Sequence, residues 1–212
     1  MKKNVLSIHP YYFSPQKRIF DVFVSIFLLV VAAPLLLIIS VLILVTMGSP
    51  IFFTQLRSGK DKKPFAIYKF RTMHRSAEKL KYMLDARNEA PFPMFKMVND
   101  PRFVGIGKWL SQVGLDELPQ LMNVLIGDMS LVGPRPALFN QQDLIQLRTK
   151  YGVHLLIPGL TGWAQVNGRD ELSIEDKVAL DIYYLKNQSF LLDLKILWLT
   201  LIKVVRREGV SH

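Results

Sequence analysis

The run VFVSIFLLVVAAPLLLIISVLILVTM, Val22–Met47, decides how this chain is built. It holds 26 residues without a charged side chain, with Pro34 near its middle. As one straight helix it would measure about 39 Å, more than the roughly 30 Å hydrocarbon core of a bilayer. Proline removes a hydrogen bond and crowds the preceding turn, which predicts a kink with arms of 12 and 14 residues, Val22–Ala33 and Pro34–Met47. Neither arm reaches the ~20 residues that a span needs.

The flanking charges give the orientation. Lys2, Lys3, Lys17 and Arg18 precede the run, and Arg57, Lys60, Lys62, Lys63, Lys69 and Arg71 follow it. Basic residues mark the cytoplasmic side of a membrane, and here both flanks are basic. A helix that enters, bends at Pro34 and leaves by the same face satisfies both; an ordinary single crossing satisfies one. A secretory signal fits less well, because the apolar run exceeds a signal core and Thr46-Met47-Gly48-Ser49 is a poor cleavage site.

The chain has 212 residues, enough for one compact domain plus a membrane element, and no second stretch approaches a span. Its net charge of +10 calls for an anionic partner: a membrane surface, a phosphorylated substrate or nucleic acid. No nucleic-acid recognition signature is present, so no nucleic-acid partner is expected. Cysteine is absent, which excludes disulfides and zinc–thiolate sites and suits a cytoplasm-facing enzyme.

After the turn Gly48-Ser49-Pro50, the segments Ile51–Gln55 and Phe65–Phe70 read as two strands around the polar turn Ser58–Lys63. Residues 74–89 read as a solvated helix and 105–113 as a short one; Pro91, Pro93 and Pro101 make the stretch between them irregular. A further helix is expected from Pro119 to Ile126, stopped by Gly127. The last element, Phe190–Arg207, gathers Phe190, Leu191, Leu194, Leu197, Trp198, Leu201, Ile202, Val204 and Val205 on one half. Asp193, Lys195, Thr200, Lys203, Arg206 and Arg207 lie opposite, together with Leu192, Ile196 and Leu199. That pattern fits a helix lying in the membrane interface and equally one packed on the domain.

The sequence Leu115-Asp116-Glu117-Leu118-Pro119-Gln120 holds the candidate reactive residues. Proline disfavours helical geometry in the residue before it, so Leu118 marks a boundary and the acid pair sits beside a helix start. Two adjacent carboxylates there suit a divalent cation bound together with a phosphate, although acids at a helix start are also ordinary capping chemistry. In Gly127–Pro136, Arg135 stands between two prolines, a restrained guanidinium suited to phosphate. A third stretch, Pro158–Arg169, ends in another arginine after the turn-forming Asn167-Gly168.

Taken in order, these segments resemble the bacterial sugar transferases, the monotopic phosphoglycosyl transferases. The resemblance is carried by Phe52-Phe53-Thr54-Gln55 with Arg57 and Gly59, Tyr68–Met73, Asp100-Pro101-Arg102, Leu115–Gln120, Gly127–Pro136, Pro158–Arg169 and Asp181 with Tyr183-Tyr184. It runs from about residue 17 to the C-terminus.

The resemblance implies a mostly helical α+β fold in one domain, 1–212: a compact monotopic membrane domain with a Pro-broken re-entrant helix over 19–47, a short β-hairpin and interfacial amphipathic helices, its part 51–212 being catalytic. It implies transfer of a sugar-1-phosphate from a UDP-sugar to undecaprenyl phosphate, with release of UMP, at the cytoplasmic face of the bacterial inner membrane. Asp116 would be the nucleophile and would form an aspartyl-phosphosugar. Glu117, with Asp116, would hold Mg²⁺. Arg135 would bind phosphate, with Lys69, Arg71 and Arg169 as neighbours in the site. Membrane lipids are expected partners, and self-association into a homo-oligomer is left open.

The chain departs from the family pattern at two positions. Ser111 stands where a basic residue commonly precedes the catalytic aspartate by five positions, and Ile157 where one often precedes the Pro-Gly of the third motif. The chain lacks the multi-span N-terminal region of larger members, which suggests a minimal catalytic unit, and its first 16 residues carry no motif. Two other functions meet parts of the sequence. A basic membrane scaffold needs only the anchor and the charge, and has no use for the ordered acid, Gly-Pro-Arg-Pro and Asn-Gly-Arg motifs. A direct phosphoryl transferase would use the same site without a covalent intermediate.

Overall fold

A computed structural model describes residues 10–89, 95, 97, 99–168 and 172–206. The apolar run lies within α1, Pro15–Met47, opened by Ser14, whose hydroxyl accepts from the Lys17 amide at 3.2 Å, and by Pro15 at the first helical position. Helical geometry carries through Pro34, so the two expected arms belong to one 33-residue element. Its burial is nonetheless split. Lys17, Asp21 and Ser25, spaced by four, are buried near one end, and Ile39 and Ile43 near the other, with no buried residue between Ile26 and Ile38. Only 11% of its most apolar window is buried, and Phe23, Val30, Leu37 and Val45 stand open. An apolar surface of that extent on a folded chain calls for a partner phase.

The hairpin follows. Strand β1, Phe52–Ser58, pairs antiparallel with β2, Pro64–Phe70, in a register running from Phe52↔Phe70 to Ser58↔Pro64. β1 extends three residues beyond the expected end because the tight turn begins only at Gly59, whose amide donates to the Lys63 carbonyl at 2.8 Å. The expected helix over 74–89 is the shorter α2, Ala77–Met83, followed by a 3-10 turn, Asp85–Arg87. Next come α3, Gly107–Gln112, a 3-10 turn over Leu115–Gln120, and α4, Leu121–Ile126, closed by Gly127 in the left-handed region at φ 105°.

Strand β3, Ser130–Val132, pairs in parallel with β5, Gly159–Thr161, while β4, Ala137–Leu138, adds antiparallel to β1 through Arg57↔Leu138 and Ser58↔Ala137. Between and after them lie α5, Gln142–Lys150, α6, Trp163–Val166, α7, Ile174–Asn187, and α8, Phe190–Arg206. The chain is mostly helical with a small sheet, a compact α+β structure.

The larger core joins Ile67 of β2, Leu121 and Val124 of α4, Leu131 of β3, Tyr184 and Leu185 of α7 and Ile196 of α8, with Phe20, Val24 and Leu29 of α1 packed on it. A smaller cluster joins Ile39 and Ile43 of α1 to Phe70 and Leu110. Both ends of α1 therefore rest on the same folded body. Polar contacts fix its root there: Lys17 Nζ lies 2.6 Å from Asp193, Ser130 Oγ donates to Asp21 at 2.7 Å, and Arg18 donates to the Val124 and Leu125 carbonyls.

α8 packs on the domain through one side and leaves the other side open. Asp193 and Ile196 are fully buried and Thr200 bonds Thr161 at 2.7 Å, so part of the half expected to be polar faces the protein. Leu191, Trp198, Leu201, Val204 and Val205 remain exposed on the other side.

Candidate active site

Asn123 sets the geometry. Fully buried on α4, it accepts from the Tyr68 amide at 3.0 Å and donates to the Ala66 carbonyl at 2.7 Å, pairing with the free edge of β2 as a strand would. This brings the turn before α4 against β2. Gly114, left-handed at φ 72°, breaks the chain after α3 and lets that turn start at Leu115, four residues before the expected helix start at Pro119. Asp116 and Glu117 thus lie inside a 3-10 turn, where successive side chains are about 120° apart.

Lys69 sits between them. Its ammonium lies 3.4 Å from Asp116 Oδ2 and 2.8 Å from Glu117 Oε1. Glu117 Oε1 also meets Arg135 Nη2 at 3.0 Å. Asp116 is only 6% exposed. Burial raises its carboxyl above the ordinary aspartate value, and Glu117 adds to this while Lys69 and Arg135 oppose it.

Arg135 is held by its backbone. Gly133, two residues earlier, packs backbone to backbone on the third motif: a Cβ added at Gly159 would fall 2.0 Å from the Gly133 amide nitrogen, and one at Gly162 would fall 2.1 Å from its carbonyl oxygen. The Gly133 amide also donates to the Thr161 carbonyl at 2.9 Å. The Arg135 carbonyl accepts from Arg148 at 2.7 Å, and Arg148 is ion-paired with buried Asp181 at 2.7 Å.

Of the six expected site residues, the structure brings Asp116, Glu117, Lys69 and Arg135 together. Arg71 lies elsewhere. Its guanidinium donates to the Ser49 carbonyl at 3.0 Å, to the Met47 carbonyl at 2.6 Å and to the Gly48 carbonyl, closing the end of α1. The last turn of a helix leaves carbonyls without amide partners, and Arg71, just past the end of β2, supplies donors to them. Arg169 falls outside the described residues. Of the two departures from the family pattern, Ser111 lies on α3, and the Ile157 carbonyl accepts from the Tyr12 hydroxyl.

Arg57 belongs to the neighbourhood and was not among the expected site residues. Its Nη2 donates to Gln55 Oε1 at 2.6 Å and its Nη1 reaches the Pro136 carbonyl at 3.4 Å. The signal for it was the strand period: Phe53, Gln55 and Arg57 alternate onto one face of β1, the face that Lys69 shares as the partner of Phe53.

Two carboxylates beside three cations, partly shielded from water, suit a phosphate ester and a divalent ion together. Among the described residues no cluster of three acidic or histidine side chains could cage a metal by itself. The pair Asp116 and Glu117 fits magnesium, which commonly takes one or two carboxylates and completes its shell with substrate phosphate and water.

The model of the bacterial sugar transferase family matches residues 12–207. The chain is 42% identical over 198 residues to a protein of Bacillus subtilis (strain 168) named Uncharacterized sugar transferase EpsL, covering 92% of this chain and 90% of that one. It is 39% identical to the undecaprenyl-phosphate glucose phosphotransferase of Komagataeibacter xylinus, covering 93% of this chain and 36% of that one. It is also 39% identical to the undecaprenyl-phosphate galactose phosphotransferase of Salmonella typhimurium (strain LT2), covering 91% and 41% respectively. The chain thus spans less than half the length of those two phosphotransferases and nearly all of the Bacillus protein. A family match across almost the whole chain, with relatives this similar, places the protein in the bacterial sugar transferase family.

Proposed function

We propose that this protein transfers a sugar-1-phosphate from a UDP-sugar to undecaprenyl phosphate through a covalent intermediate on Asp116, as the first membrane step of polysaccharide or glycoconjugate synthesis. The observation that carries the reading is the buried Asp116 carboxylate standing beside Glu117 under Lys69, with Arg135 bridged to the same acid pair. The names of the Komagataeibacter and Salmonella relatives supply the acceptor and the class of sugar.

In the first step an Asp116 oxygen attacks the phosphorus that bears the sugar, and the bond from that phosphorus to the bridging oxygen breaks, releasing UMP. In the second an oxygen of undecaprenyl phosphate attacks the same phosphorus, breaks its bond to Asp116 and restores the carboxylate. The ionised carboxylate needs no general base, and splitting the transfer lets a water-soluble donor and a lipid acceptor react in turn. Lys69 holds Asp116 ionised against its burial and, with Arg135, offsets charge on the phosphoryl oxygens. Magnesium, held by Glu117 and Asp116 with donor phosphate oxygens, would neutralise further charge there. Arg71 acts at a distance, by fixing the end of α1 against the hairpin.

The membrane reading goes with this site. We propose that α1 enters the cytoplasmic leaflet of the inner membrane and returns by the same face, with the exposed side of α8 in the interface, so that the acid pair sits near the acceptor's phosphate. The test is incubation of purified protein with a panel of UDP-sugars and Mg²⁺, reading UMP. Release of about one equivalent of UMP per protein before any lipid is added, with phosphosugar trapped on Asp116, is the expected result. UMP that appears only after undecaprenyl phosphate is supplied would replace the covalent route by direct transfer.

A further inference from the structure

β4 lays its two residues against the end of β1, pairing Ser58 with Ala137 and Arg57 with Leu138. That pairing carries the Pro134-Arg135-Pro136 segment to the side chain of Arg57, whose Nη1 lies 3.4 Å from the Pro136 carbonyl. Two guanidiniums are thereby placed side by side. Glu117 serves Lys69 and Arg135. Among the described residues no carboxylate is within ion-pair distance of Arg57, and its Nε is buried with no hydrogen-bond partner. Burial and the neighbouring Arg135 lower its pKa to about 10, Glu117 opposing them, which leaves it charged at neutral pH. A partly buried cation beside another cation is costly for the fold alone, and an anionic ligand removes that cost.

Asp116 is beside Lys69, Glu117 bridges Lys69 to Arg135, and Arg57 reaches the Pro136 carbonyl next to Arg135, with Arg135 and Glu117 as the charges that act on it. Along the hairpin, Arg57 is four residues past Phe53, the partner of Lys69, about 13 Å at the backbone. In phosphoryl transfer the attacking and leaving oxygens stand roughly in line across the phosphorus. With Asp116 attacking from one end, the departing phosphate faces the other.

We infer that Arg57, paired with Arg135, is the seat of the leaving nucleoside monophosphate, its fork of donors gripping the phosphate next to the nucleoside. The lipid acceptor's phosphate, which attacks in the second step, is the other phosphate this site must meet. The inference rests on the transferase reading above and sharpens it by giving the two phosphates different contacts.

The experiment uses the full chain in nanodiscs and the variant Arg57→Gln, with UMP as the titrated ligand and undecaprenyl phosphate as the lipid arm. Loss of a charge-assisted, forked contact predicts at least a tenfold weaker UMP dissociation constant and a matching rise in donor KM. KM for undecaprenyl phosphate stays within twofold. Arg57→Lys, which keeps the charge and loses the fork, falls between. Unchanged UMP affinity in Arg57→Gln, or a rise confined to the lipid arm, overturns the inference. Unfolding of both variants overturns it too, by assigning Arg57 to the fold. A parent chain that neither binds UMP nor releases it would instead sink the transferase reading itself.

Discussion

Lys69 Nζ stands 3.4 Å from Asp116 Oδ2, on a strand whose neighbour in space was set by a single asparagine. On the proposed reading the consequence is catalytic. Asp116→Asn removes the proposed nucleophile and is expected to lower UMP release by about a thousandfold or more. Lys69→Met leaves the carboxylate in place and withdraws one preorganised cation, which costs about a hundredfold to a thousandfold in turnover. Both are read by initial rates of UMP formation. An Asp116→Asn protein near parent activity rules out the assignment.

Gly159 and Gly133 offer a test of how Arg135 is positioned. A methyl group at Gly159 would meet the Gly133 amide nitrogen at 2.0 Å, a contact that backbone on both sides can relieve only by moving the Arg135 loop. Gly159→Ala is expected to cost about 3 kcal/mol or more in stability. Gly114→Ala meets nothing within 4 Å but must adopt φ 72°, and is expected to cost only about 1 kcal/mol. Denaturant unfolding in detergent compares the two. Similar losses would mean that the loop can shift freely.

The hairpin was legible because strand period and turn chemistry are local signals, and Phe52–Ser58 with Pro64–Phe70 follow from them. The acid pair and Arg135 were legible as motifs. What the sequence hid is non-local. β3 and β5 are three residues each and 26 residues apart in the chain, too short for any periodic signal, and they exist because each supplies the other's hydrogen bonds. α5 and α7 went unread, and in α5 the three apolar residues are outnumbered by six polar ones. Arg71 and Arg57 show the same limit from the other side. A guanidinium reaches far from its own backbone, so Arg71 serves the end of α1 while Arg57, the less expected residue, reaches the Pro136 carbonyl beside Arg135.

Arg57 also makes the alkaline behaviour specific. Its pKa is lowered from the ordinary arginine range to about 10, by burial first and by Arg135 second. For a base whose pKa is held below its unfolded value, the destabilisation is fully present below the folded value and fades as pH rises from about 10 towards the unfolded value. At pH 7–9 Arg57→Gln should therefore be at least as stable as the parent, and the difference should shrink above pH 10. UMP affinity of the parent should stay flat between pH 7 and 9 and fall above about 10, when the guanidinium loses its proton. Thermal unfolding and UMP titration across that range check both. A steep loss of UMP affinity already between pH 7 and 9 would point to a different group.

The topology of α1 can be settled with single cysteines, since the chain has none of its own. The root of α1 is tied to the body through Lys17 and Asp193, and its far end through Arg71 and the Met47 carbonyl. A straight helix crossing the bilayer would separate those ends by the ~30 Å hydrocarbon core and strand one of them on the far side. Contacts from both ends to one body accord with the proposal that α1 bends about Pro34 and returns by the face it entered. Gln16→Cys and Ser49→Cys are exposed positions flanking the apolar run. In inverted membrane vesicles an impermeant maleimide should label both, and in intact cells it should label neither. Labelling of one position from each side would establish a crossing helix, and would remove the acid pair from the shared surface that the transfer requires.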